Sequence, residues 1–526
     1  EMAVELIPLV VNNSYAVRKS ASFFFFLFSS TLPMSNQTSF YNFLYKSSLP
    51  HPIQNMLYLP LLQHNKSREM RCTPMSDTTT VHDQYYEMAN APINRIIPKL
   101  AVPTIISMLV TSIYNMADTF FVSQLGTSAS GAVGIIFSAM AIIQALAFMI
   151  GMGTGNFIAR MIGAGNRKLA EELASIAFFT GFGVGLVIAV IGNANIGQLV
   201  RILGATETIA PFAQDYARYI FLAAPFMVTS FIMNNLLRFQ GKALFAMVGI
   251  TTGGILNMIL DPIFIFSLGL GTSGAALATA LSQVISFCIL LFMCNTKKEC
   301  ITIHPKNFRP TLSIYKNVIY GGIPSLGRQG IASVATIIMN VMAHPYGDAA
   351  IAAMSIVSRF MMFINSAIIG FGQGFQPVCS YCFGAKMYNR VKEACWFCIK
   401  VSTAILLVFC VTGFAFSGHI IELFRKGDPD VIRIGTLALR LQLVTLPLQG
   451  VIIMGNMMPQ SIGYGIRATL VSIGRQGLFL IPALLILTPI LGLLGIQISQ
   501  PIADLCTFFL AAFVMNGIFK EMDAAK

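Results

Sequence analysis

Charge is what this 526-residue chain has least of. Only 10% of its residues are Asp, Glu, Lys or Arg, while 55% are hydrophobic; an average soluble domain is roughly a quarter charged. So few charges cannot solvate the outside of a water-soluble core of this size, whereas lipid accepts apolar surface directly. The chain is therefore expected to be all-α, polytopic and membrane-embedded. It also contains no HExxH, no GxSxG and no GxxxxGK[ST], which removes the familiar metalloprotease, hydrolase and nucleotide-binding signatures. Its six His are scattered and none falls clearly within an apolar span, so an enzyme buried in the membrane has neither a nucleophile with a base nor a ligand cluster.

What is present divides at about residue 92. Before it, short apolar runs such as Phe23 to Phe26 mix with Ser, Asn and Pro, and none reaches the roughly 18 residues of a bilayer span. Residues 1–92 read as a disordered lead-in. A signal peptide, with Arg18 and Lys19 ahead of the Phe-rich run, is disfavoured because the run is brief and no clear cleavage site follows. Position 1 is Glu and Met75 opens the polar approach to the first span, which leaves upstream translation as a reading of residues 1–74. Beyond, twelve apolar stretches of spanning length are expected at 96–124, 131–157, 172–194, 210–237, 243–267, 273–294, 317–343, 349–378, 394–417, 433–458, 466–488 and 494–518.

The net charge of +13 raises nucleic acid as a partner until the basic residues are placed. One set of loops and ends holds Arg95, Lys99, Arg160, Arg167, Lys168, Arg238 and Lys242, continues with Lys297, Lys298, Lys306, Arg309 and Lys316, then Lys386, Arg390, Lys392 and Arg467, and ends with Lys520 and Lys526. The other set has only Arg201, Arg425, Lys426 and Arg433. The positive-inside rule then puts both termini in the cytoplasm, and the basic balance is topogenic, not a nucleic-acid footprint.

Sliding the chain on itself by 221 residues superposes Pro103 on Pro324, Gly126 on Gly347, Ala129 on Ala350, Gly151 on Gly372, Gly153 on Gly374 and Gly163-Ala164 on Gly384-Ala385. Twelve helices thus resolve into two six-helix lobes: an N-lobe at 93–294, a polar and basic linker at 295–316, a C-lobe at 317–520 and a short tail at 521–526. Six is even, so the halves are parallel repeats about an axis along the membrane normal, with a cavity expected between them.

The stretches IPKLAVPTIISMLVTSIYNMADTFFVSQLG (97–126), GILNMILDPIFIF (254–266), GFGQGFQPVCSYCFGAK (370–386) and SIGRQGLFLIP (472–482) resemble, in this order, the multidrug and toxic compound extrusion (MATE) family, and most closely its bacterial multidrug-exporter branch. The resemblance covers about residues 92–520. It implies a secondary active transporter, not an enzyme: a cation-coupled antiporter, driven by protons or sodium, that expels bulky and often cationic drugs by alternating access. It also implies a location in the cytoplasmic (inner) membrane of a bacterium. A single chain already holds both lobes and the cavity, so a monomer with lipid and drug-like molecules as its partners is expected, with no cofactor beyond the coupling H+ or Na+.

The polar residues inside the spans carry chemistry independently of that name. Asp118 in helix 1 and Asp261 in helix 5 are carboxylates at membrane depth, costly enough to read as functional. Tyr114 and Asn257 each lie one turn before them on the same helix face. Pro262 lacks an N–H, which frees the carbonyl of Met258 beside Asp261. Thr279 in helix 6 can add a hydroxyl, and the family resemblance carries its cation site onto Asp118, Asn257, Asp261 and Thr279. Low dielectric disfavours a bare carboxylate, so such a group takes up a proton or small cation. The static alternative is that both acids are structural.

The C-lobe departs from family members that carry acids in helices 7 and 10: Ala332 stands at the helix 7 position and helix 10 has none. Arg328, Gln329, Arg359, Arg475 and Gln476 are expected to line the cavity or, more simply, to glue helices together through carbonyls or Asp504. The three arginines also keep alive a second class, a flippase for a lipid-linked precursor. Cys379-x-x-Cys382 and Cys395-x-x-Cys398 have a spacing that zinc could use, but they fall inside spans, where small apolar Cys packs well; no metal site is expected. Met339, Met342, Phe360, Met361 and Met362 offer adaptable surface.

Overall fold

The computed structural model describes residues 87–296, 301–424 and 428–525. The Phe-rich run, Arg18, Lys19, Met75 and the expected character of residues 1–74 lie outside the described residues, as do Lys297, Lys298, Arg425, Lys426 and Lys526. Residues 87–92, read from the sequence as the end of a disordered lead-in, are ordered: 87–90 form a helical turn. Its Met88 is buried, and Arg390 donates to the carbonyls of Met88 and Ala91.

All regular structure among the described residues is helical. The N-lobe comprises α1 (Ile93–Ser123), α2 (Thr127–Gly163), α3 (Arg167–Ala194), α4 (Ala210–Phe239), α5 (Ala243–Pro262) and α6 (Gly271–Thr296). The C-lobe comprises α7 (Leu312–Ala343), α8 (Asp348–Gly384), α9 (Tyr388–Ala415), α10 (Pro429–Ile462), α11 (Gly465–Leu491) and α12 (Leu493–Ala524). Eleven are long and apolar enough to cross a membrane. The twelfth, α7, has the length but carries Arg328, Gln329 and Asn340 in its apolar stretch. An even number of spans returns the chain to the end of the bundle where α1 began.

Each expected span lies on a helix, and most run further than their apolar stretch. Three boundaries move: α6 ends and α7 starts inside the expected 295–316 linker, and α12 continues through residues read as a tail. What remains of the linker contains a 3-10 turn, Pro305–Asn307, and tucks Ile301 and Ile303 into the N-lobe core. Arg160 and Arg238, counted as loop charges, lie on α2 and α4; Arg238 is 1% exposed.

The internal repeat is written into the backbone. Gly126 and Gly347 open α2 and α8 at φ +115° and +85°, a region that favours glycine. Gly165 and Lys386 hold the equivalent left-handed turns after these helices at φ +78° and +59°. Short helices Ile196–Ile202 and Ser417–Phe424 fill matching connections. Asn234 donates to the Ala246 carbonyl at 2.8 Å and Asn456 to that of Ala468 at 2.9 Å, the same α4–α5 and α10–α11 clasp in each half.

The lobes meet through glycines. A Cβ on Gly163 would fall 2.1 Å from the Tyr381 carbonyl oxygen, and one on Gly384 would fall 2.1 Å from that of Arg160. These two contacts exchange under the 221-residue shift, so the pseudo-twofold axis passes between α2 and α8. Gly153 against Val318, Gly322 against Met149, Gly370 against Ile105 and Gly374 against Ala101 continue the seam. All belong to the bundle end that carries the start of α1. Toward the other end, the last hydrogen bond across the lobes in α1 is Ser112 to Ser366 at 3.0 Å. About 16 Å of α1 lies beyond it. The lobes thus close at the end where α1 begins and α12 ends and part toward the opposite one.

Candidate functional site

The parted half of the N-lobe holds the polar cluster. Asp118 lies about 37 Å along α1 and Asp261 about 27 Å along α5, both counted from helix starts at the closed end. α5 approaches α1 closely because Gly254 has no side chain: a Cβ there would stand 3.0 Å from the Tyr114 ring and 3.1 Å from Val110. That approach sets Asp261 near enough to Asp118 for their charges to interact.

Asn257 organises the α5–α6 side. Its amide nitrogen donates to Asp261 Oδ1 at 3.0 Å and to Thr279 Oγ1 at 3.1 Å, so the i, i+4 pair read from the sequence is bonded and Thr279 joins it. Asp261 is completely buried, and Asn257 and Thr279 nearly so. Pro262 ends α5, and a π-helical turn, Ile263–Ser267, follows; such turns frequently occur at functional sites.

Tyr114 is buried beside Asp118 as expected, but the hydroxyl that reaches the acid comes from elsewhere. Tyr216 on α4, fully buried, donates to Asp118 Oδ2 at 3.2 Å and also lies beside Asp261 and Thr279. It bonds one carboxylate and lies near the other. The sequence reading missed it, although a tyrosine in the middle of a span must find a partner for its hydroxyl.

Three acceptor oxygens in the cluster have no donor among the described residues: Asp118 Oδ1, Asp261 Oδ2 and Asn257 Oδ1. Buried oxygens of this kind are costly unless satisfied. Two carboxylates, an amide oxygen and two hydroxyls form a hard-oxygen set suited to a proton or a small hard cation. No group of three His, Cys, Asp or Glu placed to hold a metal ion occurs among the described residues.

The C-lobe polar residues gather differently. Arg475, on the π-helical turn Gly474–Leu480 of α11, donates from Nε to Asp504 Oδ1 at 2.7 Å. Gln449 and Gln500 also donate to that carboxylate. Arg328 donates to Asn456 at 3.3 Å, and Gln329 crosses the lobes to Gln144 at 3.3 Å. Arg359 is exposed on α8 and Gln476 half-buried, and neither makes a hydrogen bond among the described residues. These residues do not form one site; Arg475, Arg328 and Gln329 tie helices together. The four Cys of the CxxC pairs are buried in one apolar cluster with unbridged thiols, and packing accounts for them.

Comparison with known proteins follows this layout. The MatE family profile matches twice, at residues 103–263 and 324–486, offset at their starts by the same 221 residues. The multidrug export protein MepA of Staphylococcus haemolyticus (strain JCSC1435) is 29% identical over 446 residues, which is 84% of this chain and 98% of MepA. A MATE protein crystallised in complex with MaL6 superposes with a TM-score of 0.80 at 28% identity, covering 83% of this chain and 99% of that one. An outward-facing multidrug resistance MATE family transporter of the MOP superfamily superposes with a TM-score of 0.79 at 28% identity, covering 83% and 98%. With both halves matched and the twelve-helix, two-lobe fold shared, this chain belongs to the MatE family of multi-pass membrane transporters.

Proposed function

We propose that the protein is a proton- or sodium-coupled antiporter that exports bulky, often cationic drugs by alternating access. The observation that carries this reading is the gathering of Asp118 with Tyr216 and of Asp261 with Asn257 and Thr279 in one buried cluster, where three acceptor oxygens have no donor among the described residues. Two nearby carboxylates in a low-dielectric lobe resist bearing full charge together, so the cluster favours a state holding a proton or small cation. With both termini in the cytoplasm, as the basic residues argue, the closed end is cytoplasmic and the parted end faces outside. The ion then loads from outside. Its binding to one lobe arrangement more tightly than the other shifts the equilibrium toward export-competent states. A drug cation that draws on the same negative charge displaces it.

The MepA relatives, named multidrug export proteins, support this substrate class. The flippase reading loses ground because Arg328 and Arg475 are engaged with Asn456 and Asp504. One chain holds both lobes, so we assign a monomer, placed in the cytoplasmic membrane of a bacterium. The test is transport of a fluorescent drug cation by the purified protein in vesicles, where Asp118→Asn and Asp261→Asn should each abolish gradient-driven movement. Two fully coupled variants would refute the site.

A further inference from the structure

One face of α9 is apolar where it meets lipid and charged where it begins. Leu407 and Val411 are more than half exposed, and the same stripe runs back through Lys400 and Trp396 to Glu393, all exposed. With the start of α1 at Pro92, Ile93 and Asn94, these three residues and Phe397 frame a groove of about 480 Å³. Of the nearby cations, Lys392 is engaged with Asp523 at 2.6 Å, Lys99 with Glu87 at 2.5 Å and Arg390 with backbone carbonyls, while Arg95 is exposed. Glu393 and Lys400 make no hydrogen bond or ion pair among the described residues.

Depth orders the groove. Glu393 is outermost, Trp396 is one turn deeper, Lys400 is about 10 Å below Glu393 along the axis, and the apolar stripe is deeper still. Helical side chains lean toward the N-terminus, so the Lys400 stem rises toward Trp396, as a lipid-facing lysine must to reach headgroup level. A phospholipid with a primary amine presents its groups in this order: ammonium outermost, phosphate next, acyl chains deepest. The indole adds an N–H donor at the level where Trp is favoured.

We infer that this groove binds an aminophospholipid of the phosphatidylethanolamine type, its ammonium on Glu393, its phosphate on Lys400 and the Trp396 indole, and its chains along Leu407 and Val411. An anionic phosphatidylglycerol would set a neutral glycerol against Glu393, and a quaternary choline has no N–H to donate. The site needs only that α9 crosses a bilayer, and does not depend on the coupling ion.

Trp396 is the chain's single tryptophan, so its fluorescence reports this groove alone. In phosphatidylcholine vesicles containing the full chain, phosphatidylethanolamine, phosphatidylcholine and phosphatidylglycerol carrying bromine high on the acyl chain are titrated in separately. Brominated phosphatidylethanolamine should half-quench at a mole fraction about threefold lower than the others, the size a headgroup-level ion pair gives. Glu393→Gln should erase that preference, Lys400→Gln should raise the half-quenching mole fraction of all three lipids together, and Lys392→Gln should change neither. Superimposable curves for the three lipids in the wild-type protein, or a preference for phosphatidylglycerol, overturn the assignment whatever the variants do.

Discussion

The hydroxyl of Tyr216 sits 3.2 Å from Asp118 Oδ2 while the same ring lies beside Asp261 and Thr279. One side chain from α4 is therefore bonded to the acid that α1 supplies and lies within electrostatic reach of the one that α5 supplies.

Tyr216→Phe keeps the ring and its packing but removes the hydroxyl that donates to Asp118. The lost hydrogen bond should cost about 1 kcal/mol of stability, a small shift in thermal unfolding. Drug transport should fall much further, because Asp118 loses the donor that holds it in the cluster. Unchanged transport would make Tyr216 a packing residue only.

Asn257→Leu deletes the donor shared by Asp261 and Thr279 and leaves a buried carboxylate with less support. Protection by the coupling ion against thermal unfolding in detergent should disappear in this variant. Thr279→Ser, which keeps the hydroxyl, should retain it.

Arg475→Met strands Asp504, which is 1% exposed. Breaking such a pair should destabilise the protein by roughly 3 kcal/mol, the low end for a buried pair, because Gln449 and Gln500 still donate to the acid. The paired change Arg475→Met with Asp504→Leu should recover much of the loss. Ion dependence of transport should persist in the double variant, since the pair lies in the other lobe from the acids; loss of that dependence would give Asp504 a share in coupling.

Gly163→Ala and Gly384→Ala both place a methyl where the other lobe's carbonyl stands at 2.1 Å. Each should open the seam at the closed end and, by the symmetry of the two contacts, to a similar degree. Spin labels across that end should report a longer distance for both variants. A change in one and not the other would contradict the pseudo-twofold seam.

How far the sequence speaks for this molecule varies with the physics of each residue. Spans are legible because apolar length is local, and the repeat because glycines such as Gly163 and Gly384 cannot be replaced where backbones touch. Asn257 and Asp261 are legible because a helix places i and i+4 together. Tyr216 is not, since its 98-residue separation from Asp118 is closed only by the packing of α4 on α2, α3 and α6, which brings the ring across to α1. Helix ends are misjudged for a related reason: α12 runs on to Ala524 because Arg467 holds Glu521 at 2.6 and 2.9 Å, a contact that hydropathy does not register.

The central claim is that Asp118 and Asp261 couple drug export to an ion gradient. It is tested most directly by drug efflux from vesicles under a pH gradient alone and under a sodium gradient alone, with wild type beside Asp118→Asn. Efflux driven by one of the gradients and lost in the variant is the predicted result. Efflux that ignores both gradients, or that survives Asp118→Asn undiminished, would contradict it.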